Sequence, residues 1–334
     1  MPLHLAVLGI DHGHIFGMLS NMLDQGCTCH QWWTDGPAVT RDKFVQTFPN
    51  LAEVSDRRRI LEDPAIDMVL IAAVPADRAT LAIEAMEAGK DVMVDKPGVT
   101  DAADLARLRD VQARTGRIWS VNFSERFQVP AVTCASDLVA QGAIGRVVQV
   151  LGLGPHKQNL KTRPPWFFDR ARYGGILCDI GSHQIDQFLH FTGATGAQIA
   201  HALAENTTQP DHPGFQDFGE IVLRAPEAHG YIRVDWFTPD GLPTWGDGRL
   251  FLQGTEGQIE LRKYTNIGSD HVTDQVFLVN GSENRRIDAR SAGLPYFPRL
   301  IVDAQDRTET AMAQTHAFTA SALAIRAQEV AEAG

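Results

Sequence analysis

Apolar residues follow two alternating patterns along the first third of the chain. Short, nearly continuous apolar runs indicate strands that are buried on both faces, as in a parallel sheet. These runs lie at residues 3–10, 27–34, 65–74, 91–97 and 118–124. Between them, apolar residues recur at the spacing of a helix with one buried face. The alternation of strands and helices predicts a doubly wound parallel sheet.

The helices predicted between these strands begin and end at recognisable residues. They cover residues 15–23, 39–48, 75–90 and 101–116. Gly26 and Gly89 follow two of them, as glycine commonly does at a helix end. Pro75 stands at the start of the third helix, and Thr100 is the predicted N-cap of the fourth.

The pattern changes from about residue 123 onwards. A predicted helix at 127–142 precedes a strand at 147–154, and a helical stretch follows at 174–193. From 198 to about 290 the pattern is mostly strands separated by turn signals, and a helix with an apolar stripe at 311–332 ends the chain. This order predicts an α+β domain with a large, open, mostly antiparallel sheet. We therefore predict two domains, residues 1–122 and 123–334.

Composition narrows the possible partners. The length of 334 residues suits two domains, and the net charge of −11 argues against nucleic acid or an anionic membrane as the main partner. No apolar run approaches the roughly 18 residues of a membrane span, and the first residues carry no signal-peptide pattern, so we expect a cytoplasmic protein. Cys27 and Cys29 could form a soft-metal pair, but no second cluster completes such a site. We predict structural or free thiols for these and for Cys134 and Cys178.

A polar turn, Gly9-Ile10-Asp11-His12-Gly13-His14, follows the first predicted strand. A dinucleotide-binding turn usually reads GxGxxG, with the pyrophosphate at the N-terminus of the next helix. Here Asp11 and His14 occupy the second and third glycine positions, and an Asp11 carboxylate would repel a pyrophosphate. Gly13 replaces the missing glycine if the turn is one or two residues longer. A turn that binds no nucleotide fits equally well, and although His12 and His14 suggest a metal, we predict none.

A carboxylate at the end of the second strand commonly binds the ribose of the cofactor. Asp35 is the candidate, 26 positions after Gly9, and it favours NAD. Thr34, with Arg41 and Lys43 nearby, leaves NADP open. An ordinary surface aspartate in a turn is the other interpretation of Asp35.

Lys96 follows the predicted strand 91–97, so it lies at the carboxyl edge of the sheet, where such folds bind ligands. A lysine there is placed to hydrogen-bond a substrate hydroxyl and to favour its deprotonated form. The alternative is a lysine that only neighbours the solvated Asp95.

Asp179 and His183 are four positions apart and share one face if this stretch is helical. Histidine moves protons near neutral pH, and a carboxylate can hold its tautomer. Gly174 and Gly175 just before them allow a close approach of the backbone. A core histidine satisfied by a nearby aspartate is the competing interpretation, and Asp186 adds a carboxylate one turn later.

Several segments together resemble the glucose–fructose oxidoreductase/inositol dehydrogenase (Gfo/Idh/MocA) family. Residues 74–100 resemble the stretch that ends in the family's Glu-Lys-Pro signature, here with Asp95 for Glu, and residues 121–150 are similar to its link into the second domain. Residues 174–193 resemble its Gly-Gly…Asp-x-Gly-x-His-x-x-Asp helix, and 254–261 a late strand of its sheet. Arg78 stands where many members have His.

The resemblance implies an NAD(P)-binding Rossmann domain over 1–122 and a substrate-binding and oligomerisation domain over 123–334. It implies that Lys96 polarises the reacting hydroxyl, that His183 is the acid/base, and that Asp179 supports the proton relay or binds substrate. The implied cofactor contacts are Gly9, Ile10, Asp11, His12, Gly13, His14, Asp35, Ala73, Pro75, Asp95 and Lys96. The implied substrate contacts are Lys96, Arg126, Arg172, Asp179 and His183.

We therefore expect an NAD(P)-dependent oxidoreductase, with NAD slightly favoured, that acts on a hydroxyl or carbonyl of a sugar, polyol or related small molecule. Two alternatives are a redox-neutral, NAD-dependent glycosidase, lyase or epimerase and a ligand-binding homologue without catalysis. Basic residues in the loop 156–175 suggest an acidic sugar, or only a basic surface loop. They are Lys157, Arg163, Arg170 and Arg172. The open second sheet predicts a homodimer or homotetramer.

Overall fold

The computed structural model describes residues 2–334 and contains two compact units. The first unit comprises residues up to 123 together with 161–174 and 295–321. The second comprises 124–160, 175–294 and 322–334. The chain therefore contributes to the first unit in three separate stretches. The functional assignment of 1–122 and 123–334 as cofactor and substrate domains stays a prediction.

Helices and strands are numbered here in chain order. The strands are β1 (His4–Leu8), β2 (Thr28–Trp33), β3 (Ala52–Glu53), β4 (Met68–Ile71), β5 (Asp91–Asp95), β6 (Trp119–Asn122), β7 (Val147–Pro155), β8 (Gln198–Glu205), β9 (Phe218–Arg224), β10 (His229–Asp235), β11 (Arg249–Gly254), β12 (Gly257–Arg262), β13 (Gln275–Asn280) and β14 (Asn284–Asp288). The helices are α1 (His14–Asp24), α2 (Arg41–Thr47), α3 (Arg58–Leu61), α4 (Arg78–Glu87), α5 (Ala102–Thr115), α6 (Ser124–Phe127), α7 (Pro130–Ala140), α8 (Arg170–Tyr173), α9 (Ile176–Asp179), α10 (Gly181–Thr192), α11 (Tyr296–Asp306) and α12 (Gln314–Ala333).

The first unit is built on a six-stranded sheet in the order β3-β2-β1-β4-β5-β6, and all of its paired strands are parallel. β4, β5 and β6 are buried along their whole length, which explains their continuous apolar runs. The strand order reverses between β1 and β4. In open α/β sheets, ligands bind at the carboxyl ends of the strands at such a switch point.

The second unit contains an eight-stranded sheet in the order β14-β13-β12-β11-β7-β10-β9-β8. Only the β7–β10 pair is parallel, and the other neighbours are antiparallel. The predicted fold class, a parallel Rossmann sheet plus a large, mostly antiparallel sheet, is confirmed.

Helix α10 packs closely on β7 and β10 because these strands present glycine beneath it. A Cβ at Gly152 would lie 2.6 Å from the Gln184 side chain, and one at Gly230 would lie 2.9 Å from Phe188. Every residue of α10 from Gly181 to Leu189 is buried. The sheet thereby fixes the helix that carries His183.

Three local expectations are corrected by the structure. The N-cap of α5 is Asp101 rather than Thr100, because the Asp101 carboxylate accepts a hydrogen bond from the Asp104 N–H at 2.9 Å. The helix predicted at 127–142 is α7, which begins only at Pro130 because the separate short helix α6 ends at Phe127, and the helical stretch at 174–193 is interrupted at Ile180. Within residues 2–334, no helix combines the length and the apolar character needed to cross a membrane.

The cysteines form no disulfide within the described chain. Cys27 and Cys29 are both buried, and burial raises the pKa of Cys29 to about 12. Both side chains therefore carry protons at neutral pH and are poor metal ligands.

Candidate functional site

The turn from Gly9 to His14 connects β1 to α1 at the switch point of the first sheet. Gly9 has a φ of +80°, and a Cβ there would lie 2.4 Å from the Cβ of Ala73 and 2.6 Å from its Cα. Ala73 and Pro75, two further predicted cofactor contacts, follow β4 and are buried. Glycine at position 9 is therefore required by the approach of the two strand ends.

Gly13 is the N-cap of α1, and no side chain within residues 2–334 caps this helix. A Cβ at Gly13 would meet nothing within 4 Å, so the space in front of the helix N-terminus is open. Helix N-termini attract anions through their N–H groups and dipole. An open, uncapped helix start at the switch point fits the pyrophosphate of a dinucleotide.

Asp11 lies in the middle of this turn and is only 8% exposed. Burial raises the pKa of its carboxyl group to about 6, although the charge of Arg78 opposes this shift. The neighbouring Ile10 N–H donates a hydrogen bond to the hydroxyl of Thr34 at 3.4 Å. Asp11 is therefore still mostly ionised at pH 7, but it takes up a proton more easily than an ordinary aspartate, which weakens the repulsion of a pyrophosphate that the sequence predicts.

His12 and His14 both contact Asp95, the last residue of β5. Nδ1 of His12 lies 2.7 Å from one carboxylate oxygen, and Nδ1 of His14 lies 2.8 Å from the other. The two imidazole rings meet edge to face, 4.3 Å apart. Burial lowers the pKa of His12 to about 4, partly offset by the charge of Asp95, so this ring is neutral at physiological pH.

Arg78 is fully buried and fixes the segment that carries Lys96. Its guanidinium donates hydrogen bonds to the main-chain oxygens of Asp95, Lys96 and Pro97 and to a carboxylate oxygen of Asp95 at 3.0 Å. Burial alone would raise the pKa of Asp95, but the positive charges of His14 and Arg78 outweigh it and hold the pKa well below its usual range. Lys96 itself is 3% exposed.

Donor atoms of His12, His14 and Asp95 lie within 4.8 Å of one another, close enough for a metal ion. The same carboxylate, however, already pairs with the buried guanidinium of Arg78. This guanidinium supplies the positive charge that a metal would supply, and the imidazoles already contact the carboxylate oxygens. Arg78 thus already balances the charge of Asp95, and the expectation that this turn binds no metal stays a prediction.

Asp35 is exposed just beyond the end of β2, where a ribose-binding carboxylate is expected. The two basic residues that leave NADP open contact groups of their own unit. Arg41 pairs with Glu53 and lies over the ring of Trp32, and Lys43 lies over the ring of Phe16. Asp35 is thus the more available group for the ribose.

In the second unit, Asp179 ends α9 and His183 lies in the first turn of α10. The His183 side chain is 1% exposed, and the main-chain N–H of His183 donates to the main-chain oxygen of Ile180 at 3.1 Å. Asp179 is partly exposed. Gly175 is also required here, because it has a φ of +86° and a Cβ would lie 2.2 Å from Gln328.

A buried polar network beside His183 escaped the sequence analysis. One carboxylate oxygen of Glu125 accepts hydrogen bonds from Lys263 at 2.8 Å and from Gln184 at 2.9 Å. Burial would raise the pKa of Glu125, but the charge of Lys263, followed by those of His183 and His156, holds it below the usual range. Only the direct adjacency of Gln184 to His183 in the sequence hints at this network.

The two predicted arginine contacts each bind a carboxylate of their own unit. Arg126 donates to both oxygens of Asp186, at 2.7 and 2.6 Å, and lies over the ring of Phe127. Arg172 donates to both oxygens of Asp77, at 3.0 and 2.8 Å. Lys157 from the basic loop donates to the main-chain oxygens of residues 240 and 242. Lys157 and Arg172, two of the four basic residues of the loop, therefore already bind groups of their own units.

An open cavity of about 630 Å³ lies in the second unit at the ends of β7, β9 and β10. Its polar lining includes Arg233 and Asp235, which lie 3.2 Å apart. These side chains alternate along β10 with the buried Ile232 and Val234. The cavity therefore lies on the face of the sheet turned away from α10.

Comparison with known families provides the assignment. Residues 36–123 match the oxidoreductase family with an NAD-binding Rossmann fold, and residues 132–260 match the GFO/IDH/MocA C-terminal domain. The chain belongs to the Gfo/Idh/MocA family. The first match begins after the turn at 9–14, so it does not include the departures in that turn.

Two proteins that are similar to this chain, one of them with a solved structure, illustrate the relationship. A protein from Erwinia carotovora atroseptica SCRI1043, described as an oxidoreductase, is 42% identical, with a TM-score of 0.95 over 98% of both chains. Levoglucosan dehydrogenase from Pseudarthrobacter phenanthrenivorans is 28% identical over 231 residues, which are 68% of this chain and 57% of that protein. The chain thus matches less than two thirds of that relative's length.

Two further relatives extend the comparison. An NADP⁺-dependent scyllo-inositol 2-dehydrogenase from Bacillus subtilis is 25% identical over 266 residues, 72% of this chain and 73% of that protein. A structure of levoglucosan dehydrogenase in complex with NADH and L-sorbose covers 100% of this chain and 98% of that one, with a TM-score of 0.78 and 20% identity. The last comparison supports the fold alone.

Proposed function

We propose that this protein is an NAD(P)-dependent dehydrogenase that acts on a hydroxyl-bearing carbon of a sugar, polyol or related small molecule. The observation that carries the proposal is the arrangement at the switch point of the first sheet. There the open N-terminus of α1 and the segment carrying Lys96 lie side by side, joined through Asp95 to His12 and His14. Family membership and dehydrogenase relatives that act on levoglucosan and scyllo-inositol support it.

The nicotinamide cofactor, when bound, supplies the hydride acceptor or donor. We propose that the turn 9–14, Ala73, Pro75, Asp95 and Lys96 hold it, with Asp35 at the ribose. NAD is slightly favoured over NADP because the Asp35 carboxylate would repel a 2′-phosphate. Titration of Asp35→Ser with NADPH checks this preference, since removing the charge should narrow the gap between the two cofactors.

In the proposed reaction, Lys96 donates a hydrogen bond to the reacting oxygen and stabilises the developing alkoxide, and His183 accepts the hydroxyl proton. Asp179 supports the proton relay or binds substrate. Arg126 and Arg172 stay proposed substrate contacts, although each already binds a carboxylate through two hydrogen bonds. A substrate would share these guanidinium groups with Asp186 and Asp77.

We further propose a cytoplasmic homodimer or homotetramer assembled through the open face of the second sheet. Leu151 lies between Tyr231 and Phe251 across three neighbouring strands, on the face turned away from α10. All three side chains are only partly buried in the protomer. A partner subunit would complete their burial.

Two measurements test the proposed activity. Fluorescence titration with NADH and NADPH should show binding, and none at millimolar ligand would reject the proposal. Absorbance at 340 nm with NAD⁺ or NADP⁺ and a panel of polyols and aldoses should then show substrate-dependent reduction of cofactor. Turnover of a glycoside with tightly held cofactor and no net absorbance change would favour the redox-neutral class. Binding without any turnover would favour the non-catalytic homologue.

A further inference from the structure

The carboxyl group of Asp11 stands where a dinucleotide-binding turn usually has glycine. It is buried in the turn between β1 and α1, beside the open helix start at Gly13. Thr34 follows β2, and its hydroxyl accepts a hydrogen bond from the Ile10 N–H at 3.4 Å, which connects the turn to this strand end. Asp11 is therefore enclosed in the turn at the place where the pyrophosphate is proposed to bind.

The charged groups of this turn and of the neighbouring ends of β4 and β5 lie on the same edge of the sheet as Asp11. Arg78 and Asp77 follow β4, Asp95 ends β5 and Lys96 follows it, and His12 and His14 belong to the same turn. Arg78 already binds Asp95 and four main-chain oxygens, so it only partly neutralises Asp11. Burial leaves Asp11 with a pKa of about 6.

We propose that Asp11 is protonated when a dinucleotide is bound and that its carboxylic acid donates a hydrogen bond to a pyrophosphate oxygen. This inference rests on the proposed function. The proton comes from solvent, so one proton is taken up for each cofactor bound, and the side chain replaces the N–H contact that a glycine turn usually offers. A hydrogen bond from a neutral acid to an anionic oxygen is short and strong, whereas an ionised carboxylate at the same distance is repelled.

A proton linkage of this kind predicts how affinity depends on pH. A bound dianion stabilises the protonated acid, so its pKa rises on binding. Above pH 6 the free protein must first take up the proton, and the dissociation constant for NADH should rise about tenfold for each pH unit. The pyrophosphate keeps its charge over this range and contributes no pH dependence.

Isothermal titration calorimetry with NADH at pH 6, 7 and 8, in pairs of buffers with different ionisation enthalpies, measures both quantities. For the wild type we expect close to one proton taken up per NADH at pH 7.5 and weaker binding at pH 8 than at pH 6. Asp11→Asn mimics the neutral acid and keeps an N–H donor. It should bind NADH with an affinity independent of pH, with no proton uptake, and more tightly than the wild type at pH 8.

His14→Gln is the second variant, because His14, like His12, is a titratable side chain of this turn that is partly exposed. It should still take up the proton. If Asp11→Asn does not fold, as shown by circular dichroism, the wild-type titration decides alone. Equal affinity at pH 6 and pH 8 without proton uptake would overturn the inference while leaving the proposed function intact. Proton uptake that persists in Asp11→Asn and disappears in His14→Gln would also overturn it. Absence of NADH binding at every pH would instead reject the proposed function.

Discussion

At the scale of single residues, Asp95 connects the two parts of the first unit's site. One carboxylate contacts His12 and His14 of the turn and pairs with the buried Arg78, which in turn binds the backbone around Lys96. Removing this charge would leave the guanidinium buried without a counter-ion. Breaking a buried pair in this way is costly, although replacing both partners often is not.

Asp95→Asn should therefore lower the free energy of unfolding by about 3–5 kcal/mol at pH 7. Because the folded-state pKa of Asp95 lies below its unfolded value, its contribution is present above about pH 4 and is lost as pH falls further. The gap between wild type and variant should narrow at low pH. Urea unfolding at pH 7 and at the lowest pH where both proteins fold measures it. The exposed Asp35→Asn is the control, with little change at either pH; an equal loss there would contradict the account.

Sequence reasoning predicted part of this site. Lys96 was predicted because it follows a strand end, and the family resemblance supports it. The roles of Asp179 and His183, which lie in the second unit, stay predictions. The contact between His14 and Asp95 joins positions 81 residues apart, which no local pattern encodes. Arg78 was noticed only as a departure from the family. Its many hydrogen bonds depend on full burial, which a sequence does not reveal.

At the scale of elements, the turn from β1 to α1 contains two glycines, of which Gly9 is required by packing and Gly13 leaves open space at the helix start. Gly9→Ala should destabilise the protein by about 2–5 kcal/mol, because φ is positive and the new Cβ would meet Ala73 backbone. Gly13→Ala, with a φ of −64° and open space, should cost less than about 1 kcal/mol. If the pyrophosphate lies in that space, Gly13→Ala should weaken NADH binding about tenfold or more.

Melting temperature and NADH titration on the same samples separate these two effects. A Gly13→Ala protein that is stable and binds NADH as the wild type does would show that the pyrophosphate lies elsewhere. An unperturbed melting temperature for Gly9→Ala would contradict the packing described for β1 and β4.

Glu125 and Lys263 connect α6 to the end of β12 through a pair that is buried in the second unit. Glu125→Gln alone should destabilise by about 3–5 kcal/mol because Lys263 loses its counter-charge. The double variant Glu125→Gln/Lys263→Met should recover most of that loss. Glu329→Gln, in the exposed pair with Arg326, should cost less than about 1 kcal/mol. Chemical unfolding measures all of them, and a double variant less stable than Glu125→Gln would contradict this picture.

Elements were predicted best where their pattern was strong. The buried strands of the first sheet followed from continuous apolar runs, and their helices from apolar spacing. Helix α11 was not predicted from the sequence, where Pro298 works against a helical pattern. Pro298 lies in the first turn of α11, where a backbone N–H has no helical partner, so the proline removes no helical hydrogen bond.

At the scale of the whole molecule, the open face of the second sheet determines the proposed assembly. Leu151→Glu places a charge in its apolar row and should convert the oligomer to a monomer of 36.7 kDa. Val45→Glu is the control, since this exposed apolar residue lies on α2 of the first unit and is not part of the second sheet. Light scattering after size exclusion gives the mass. A wild type that is already monomeric at micromolar concentration would reject the proposed oligomer.

The overall architecture followed from the sequence only in part. Alternating elements predicted the first sheet and mostly strands predicted the second, but the order of the eight strands depends on pairings between distant segments. The return of residues 161–174 and 295–321 to the first unit was also not predictable, because packing rather than local pattern decides it.

The most direct test of the central claim is the rate of NADH formation by Lys96→Met and His183→Asn with the best substrate of the panel. A positioned acid/base contributes about 10²–10⁴-fold, so each variant should lose that much turnover while it keeps the wild-type melting temperature. His183→Asn should also keep the wild-type NADH affinity, because His183 is not a proposed cofactor contact. The double variant should lose little more, because both groups serve one proton transfer. Full activity in both single variants would contradict the account, even though the fold would stand.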